Sequence, residues 1–307
     1  MGDRAGLTAV LICLGAGWGI TQPLTKIAVS EGYRHFGLIF WQLVIGAALL
    51  ALVNRGRGRG LPMGGRALRL YALIAVLGTI LPNAASYEAA RHLPAGVLSV
   101  TIAAVPMFAF PIALLLGSDR FQWGRLGGLL CGLAGVALLA GPEAGLPDPA
   151  MAAFLPLALV APAFYALEGN IVARWGTGGL DPVQLLLGAS VVGAVLVAPL
   201  AMLSGHWIDP RPPWGAPDAA LVLASVVHAL VYASYVWLVG RAGAVFASLV
   251  SYLVTLFGVA WAMLLLGERY SGVFWGAVGL MLLGMFLVQP RRAETVAPGA
   301  LGGKDTR

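Results

Sequence analysis

Charged side chains make up only 10% of this 307-residue chain, where soluble domains carry about 25%. That shortage excludes a water-soluble globule. With 59% hydrophobic residues and a mean hydropathy of +0.87, a chain of this length has too little interior to hide its apolar side chains. Lipid must be part of its solvent. Cysteine is scarce too: Cys13 and Cys131 both fall in apolar runs, which leaves no disulfide framework and no metal spacing, only small buried hydrophobes. The four histidines, His35, His92, His206 and His228, stand apart on loops or different helices. No HExxH, no paired intramembrane carboxylates and no Ser/His/Asp set occurs. No metal or other cofactor is therefore expected, and a membrane-embedded enzyme is a minor alternative. A phosphate-cradling GxxxxGK[ST] is absent as well, so ATP-driven pumping has no engine here. The net charge of +6 is not gathered into a basic patch with aromatics, so no nucleic-acid partner is expected. The N-terminal MGDRAG lacks a convincing cleavage site and reads as the start of a retained helix.

What is present is a series of long apolar runs. About 20 mostly apolar residues span a bilayer as a helix, and dividing the chain at its charged and Gly/Pro-rich breaks gives ten runs. They cover 6–29, 36–53, 69–91, 95–116, 122–141, 151–173, 182–203, 218–239, 243–266 and 271–289. Short connections make consecutive helices antiparallel neighbours. With a cytoplasmic N-terminus, the inner loops hold Arg4, Arg55, Arg57, Arg59, Arg66, Arg69, Arg120, Arg125, Arg174, Arg241, Arg291, Arg292, Lys304 and Arg307. The outer side holds only Arg34, Arg91, Arg211 and Arg269, and Lys26 lies inside the first run. This is the positive-inside pattern. The net charge therefore reports topology, with both termini cytoplasmic. The polar tail, 291–307, reads as disordered.

The chain also repeats itself. Ala85-Ser86-Tyr87 recurs as Ala233-Ser234-Tyr235, and Ala95-Gly96 as Ala242-Gly243. Asp119-Arg120-Phe121 is echoed by Glu268-Arg269-Tyr270, and Gly127 and Gly135 by Gly276 and Gly284. The period is five runs. An odd number turns the second unit, 146–290, upside down relative to the first, 1–145. Inverted repeats suit alternating access, because two similar halves can exchange conformations. The fold class expected is an all-α integral membrane protein of ten transmembrane helices in two inverted five-helix repeats.

These residues carry a resemblance. Each half resembles the EamA-type unit of the drug/metabolite transporter superfamily: in the first, AGVLSVTIAAVPMFAFPIALLLGSDRFQWGRLGGLLCGLAGVALLAGP at 95–142, with Ala95-Gly96, Pro106, Leu114 to Gly117 and Gly127; in the second, 242–290, with Ala242-Gly243, Gly267-Glu268 and Gly276. The likeness spans residues 6 to 289. Departures are Gly117-Ser118-Asp119 in place of Gly-Glu, Thr255 in place of a proline, and Trp41-Gln42 where many relatives carry an arginine. The resemblance implies a ten-helix monomer moving small metabolites through a central cavity. With the Ala/Gly/Arg-rich composition, it also implies a bacterial cytoplasmic (inner) membrane.

Polar residues inside apolar runs mark the candidate path. In WGITQPLTK, Trp18, Gln22 and Lys26 are spaced i, i+4, i+8 and share a helix face. Pro23 can kink the helix and free a carbonyl, and Gly19 permits bending or close approach, so both count with Pro106 as hinge or packing positions. Lys26 either faces the path or snorkels to the outer interface. In AFYALEGNIVAR, Tyr165 and Glu168 are candidates, and the acid costs about 2.5–3.5 kcal/mol at a central position. Glu168 reads as a proton-coupling group, as the partner of a cationic substrate, or as a salt bridge to Arg174. Along helix axes Lys26 and Glu168 lie about 20 Å apart, which makes them two mouths of a path and not a pair. Asn83 and Tyr87 share a face, and Glu88 pairs either with Arg91 or with Lys26. His228, Tyr232 and Tyr235 follow at i, i+4, i+7, with Ser251 and Tyr252 on the next run. His228 is a proton carrier or a hydrogen-bonded structural residue. Such side chains suit a small polar organic ligand. The function expected is a secondary carrier for an amino acid or similar zwitterion, by efflux, in contact with lipid and with protons as a candidate coupling partner. Uptake of a nucleoside, vitamin or sugar is the alternative.

Overall fold

The computed structural model describes residues 2–141, 146–242 and 244–288. The C-terminal tail, Gly243 of the repeat, and Gly145, where the sequence ends its first unit, lie outside the described residues. In hydrocarbon a backbone must satisfy its own hydrogen bonds, and a helix does so within one segment. Among the described residues every regular element is a helix. In order these are α1 (Gly2–Ser30), α2 (His35–Gly56), α3 (Gly65–Ala75), a π-helical turn (Val76–Ile80), α4 (Leu81–His92), α5 (Ala95–Ile102) and α6 (Val105–Leu115). After α7 (Trp123–Ala140) come a 3-10 turn (Pro149–Phe154), α8 (Leu155–Ala158), α9 (Val160–Trp175) and α10 (Pro182–Leu203). The chain continues through α11 (Ala216–Ala242), α12 (Ala244–Ala247), α13 (Val250–Leu266) and α14 (Gly272–Val288). Eight helical segments among these residues are long and apolar enough to cross a membrane, while Val250–Leu266 and Gly272–Val288 are apolar but shorter.

Several runs that hydropathy reads as continuous are interrupted, and proline explains two of the breaks. Pro106 lies in the first turn of α6, where its missing N–H costs nothing. The chain therefore turns at Ala103-Ala104, between α5 and α6. Pro162 cannot donate to the carbonyl of Ala158, and α8 ends at that residue. Pro23 leaves α1 unbroken, but it withholds a hydrogen bond from the Gly19 carbonyl. The third run begins four residues early, at Gly65, and carries a π turn that hydropathy does not register.

Side chains of α1 and α5 form the main core with α14. Leu24, Ala28 and Val29 join Val97, Leu98, Val100, Phe274, Met281 and Met285, all buried. A second cluster, Ile39, Leu43, Tyr71, Ile74, Leu185 and Ala189, seats α2 and α3 against α10. Two glycine pairs set the closest helix contacts. A Cβ on Gly128 would lie 2.8 Å from the Gly284 oxygen, and one on Gly19 would lie 2.8 Å from the Gly258 nitrogen. Small residues of this kind let backbones meet inside lipid. The outward surface is as apolar as the core: Leu115 and Leu203 are each 87% exposed and Leu264 is 74% exposed. Acyl chains cover such side chains; water would not.

Outside the spans, polar pairs fasten the connections. The Arg57 guanidinium donates to Asp181 at 2.5 Å, and Asp181 also caps α10 in a reciprocal box with Gln184. Burial alone would raise the Asp181 carboxyl, but the Arg57 bond and charge outweigh it and hold the group below the usual carboxylate range. The Tyr33 hydroxyl donates to Asp218 at 2.5 Å. Burial first, then that bond and charge, push Tyr33 up to about 12.

Replacing Gly19 by leucine forces α1 and α13 apart at a backbone contact, because the nearest atom is a main-chain nitrogen that cannot rotate away. Overpacking of this kind costs about 1–3 kcal/mol. The expected result is a clear drop in detergent melting temperature by nanoscale fluorimetry. An unchanged melting curve would show that the helices separate freely at this point.

Candidate functional site

The polar face of α1 opens on a cavity of about 480 Å³, within the range of small-molecule sites. From α1 it receives Trp18, Thr21, Gln22 and Thr25. One wall is a hydrogen-bonded cluster from α2, α4 and α9. Asn83 donates to the Gln42 oxygen at 3.1 Å, the Tyr87 hydroxyl donates to the same oxygen, and the Tyr165 hydroxyl donates to the Asn83 oxygen at 2.8 Å. A second wall is aromatic: Trp18 lies 5.3 Å from Tyr235 and 6.3 Å from His228, centroid to centroid. Ser86, Ser225 and Ser251 add hydroxyls, and Leu24, Leu38, Ile102 and Val254 add apolar surface. Among the described residues lining the cavity there is no Asp, Glu, Lys or Arg.

The residues singled out from the sequence divide here. Trp18, Gln22, Asn83, Tyr87, Tyr165, His228, Tyr235 and Ser251 line the cavity together. Lys26, Glu168, Tyr232 and Tyr252 are not in that lining. Lys26 continues the stripe of Trp18 and Gln22 but donates to the Ala90 carbonyl at 2.7 Å. Glu88 is held by Arg91 at 2.7 Å, so the pairing of Glu88 with Lys26 is not made. Tyr232 packs on the Trp18 ring at 6.3 Å, edge to face. The Tyr252 hydroxyl is buried with no hydrogen-bond partner.

Glu168 follows Tyr165 by one turn on α9 and lies against the π turn, at Gly78. A Cβ there would sit 2.6 Å from a Glu168 carboxylate oxygen, so a side chain at 78 would push the carboxylate aside. The bridge to Arg174 is not formed, because Arg174 donates to the Leu116 carbonyl. No described residue gives the Glu168 carboxylate a hydrogen bond or an ion pair.

Two functional residues escaped the sequence reading. Gln42 is the centre of the amide cluster, and the signal was available: an amide in the run GLIFWQLVIGAALL needs partners as much as Gln22 does. The other is Glu268. Its carboxylate accepts from the backbone N–H groups of Ala95 at 2.8 Å and Gly96 at 3.1 Å, capping α5 from the end of α13. The Tyr270 hydroxyl donates to it as well. Burial first, then that bond and charge, push the Tyr270 hydroxyl upward. A carboxylate at a helix N-terminus meets unpaired donors and the positive end of the dipole.

An apolar helical shell around a polar and aromatic hollow defines a membrane protein that admits a small solute. The chain belongs to the EamA-like transporter family, whose model matches residues 6–141 and again 153–289; it is a membrane transporter. A protein of Streptantibioticus cattleyicolor, "Probable terminal-alkyne amino-acid exporter", is 26% identical over 299 residues, covering 92% of this chain and 94% of its own length. The "Uncharacterized inner membrane transporter YedA" of Escherichia coli strain K12 is 25% identical over 289 residues, covering 92% of this chain and 90% of its own. A solved structure superposes with a TM-score of 0.61 at 18% identity, over 92% of this chain and 96% of its own, and shares the fold.

Proposed function

We propose that this transporter is a ten-span carrier that exports an amino acid or similar zwitterion across a bacterial cytoplasmic membrane. Two five-span units, 1–145 and 146–290, enter the membrane in opposite senses, with both termini cytoplasmic. The double match to one family model, the sequence echoes and the arginine bias support this arrangement. At 1.5 Å per residue the 17 residues of α13 reach about 26 Å, and α12 directly before it makes up the rest of a hydrocarbon core of about 30 Å. The name of the Streptantibioticus relative supports the substrate class and direction, and that of the Escherichia coli relative supports the membrane.

The observation that carries the substrate class is the lining. A cavity with amides, hydroxyls and aromatic faces but no formal charge disfavours phosphate esters and polycations, whose net charge would enter uncompensated. A zwitterion brings its own counter-charge. Trp18, Gln22, Asn83, Tyr87, Tyr165, Tyr235 and Ser251 bind it, while Lys26, Tyr232 and Tyr252 act from behind the wall. Glu168 carries the coupling proton, with His228 as the alternative carrier. Gly19, Pro23 and Pro106 are the hinge and packing positions. The carrier works as a monomer.

Counterflow in proteoliposomes, screened across amino acids, nucleosides, sugars and organic cations, tests this reading directly. Accumulation of amino acids alone is the expected outcome, and accumulation only of another class overturns it. In the same assay Trp18→Ala and Gln22→Ala are expected to lower the transport rate about tenfold or more, the effect of losing one positioned contact, at near-normal expression. Parallel losses of expression and transport would reduce both residues to packing.

A further inference from the structure

Gln42 stands about two turns into α2, with its side chain on the cavity wall. Its oxygen receives two donors, Asn83 and Tyr87, and in this arrangement that oxygen is turned toward α4. The nitrogen, with two hydrogens, has no hydrogen-bond partner among the described residues. It is also absent from the buried, unsatisfied atoms, so the cavity reaches it. The Asn83 oxygen is occupied in turn by the Tyr165 hydroxyl. Both amide oxygens and both phenolic protons are thus used inside the wall, and the amide face left toward the cavity is N–H. An amide whose acceptor is satisfied and whose donors are free selects for an acceptor on the ligand.

We infer that Gln42 is the carboxylate anchor of the substrate site, holding an α-amino acid by its carboxylate through the free amide N–H pair. This rests on the amino-acid reading above and extends it to the orientation of the substrate. Neutral donors suffice because hydrogen bonds to an ionised acceptor are the strong ones. The described lining has no arginine or lysine to compete for that end. Trp18 and Tyr235, both in the lining, supply the aromatic rings for the ammonium, an interaction that needs no carboxylate partner. The apolar lining, Leu24, Leu38 and Val254, takes an apolar side chain.

Binding to purified full-length protein in nanodiscs tests the assignment with L-leucine, L-leucine methyl ester and isoamylamine, and in parallel with L-phenylalanine, its methyl ester and phenethylamine. Wild-type protein is expected to bind each acid about tenfold or more tightly than its ester or amine, the weight of a hydrogen bond to a charged group. Gln42→Glu retains an oxygen for Asn83 and Tyr87 while exchanging the N–H pair for an acceptor. It is expected to lose the acids about tenfold or more and to bind the amines at least as well as wild type. Equal binding of acid and ester by wild type overturns the anchor while leaving the amino-acid reading standing. Unchanged acid binding by Gln42→Glu does the same. If neither acid binds wild type, the amino-acid reading falls and the anchor with it. The wild-type ester comparison decides the question even if the variant does not fold.

Discussion

The substitution Glu168→Gln is expected to abolish the pH dependence of exchange while leaving substrate counterflow in place. The acid sits in a membrane span, against Gly78, with no hydrogen bond or ion pair from any described residue. Keeping a charge so placed costs several kcal/mol, and a proton removes that cost at once. The glutamine side chain has the same shape and no proton to release, so the step that needs deprotonation stalls in net transport but not in substrate-for-substrate exchange. In proteoliposomes net transport driven by a proton gradient is expected to fall to background, while the ratio of counterflow rates between pH 6 and pH 8 falls to about one, the signature of a lost titrating group. A Glu168→Gln carrier that still follows the proton gradient removes Glu168 from this role.

The substitution Glu268→Ala is expected to loosen the crossing of α5 and α13. Three donors converge on the Glu268 carboxylate: two backbone N–H groups and the Tyr270 hydroxyl. Alanine leaves the first turn of α5 uncapped where that helix meets the other half of the molecule. A lost cap costs about 0.5–2 kcal/mol, and bonds to a charged acceptor about 1.5–3 kcal/mol. Because Glu268 is partly exposed, about 2 kcal/mol in all is expected after solvent screening. The readout is a lower melting temperature together with faster maleimide labelling of Val97→Cys, a buried position on α5, in a background lacking Cys13 and Cys131. Glu268→Gln keeps one acceptor and is expected to fall between. Wild-type labelling of the alanine variant would show that the crossing holds without its cap.

How much of this was legible beforehand depends on the range of the interaction. The helical runs and the stripe through Trp18 and Gln22 follow from local composition and the 3.6-residue period, and both fall where the cavity forms. The cavity lining does not extend along the stripe to Lys26, and period alone does not say that α4 offers the Ala90 carbonyl within reach. The bonds of Glu268 join residues 173 and 172 positions apart, and no local pattern announces such a cap. Arg174 is a similar case: near Glu168 in sequence, it reaches the Leu116 carbonyl just past the end of α6. Gln42 could have been found from the cost of its amide, which in an apolar run must find partners.

The π turn at Val76–Ile80 stores one surplus residue in the winding above Asn83 and Tyr87. Each residue advances a helix by about 100°, so relaxing that turn to ordinary winding would swivel α4 through the same angle. Both side chains would then leave the Gln42 oxygen and drop their hold on its orientation. The surplus residue lies where Gly78 faces Glu168, so the winding of the third run and the place of the acid on α9 are set at one point.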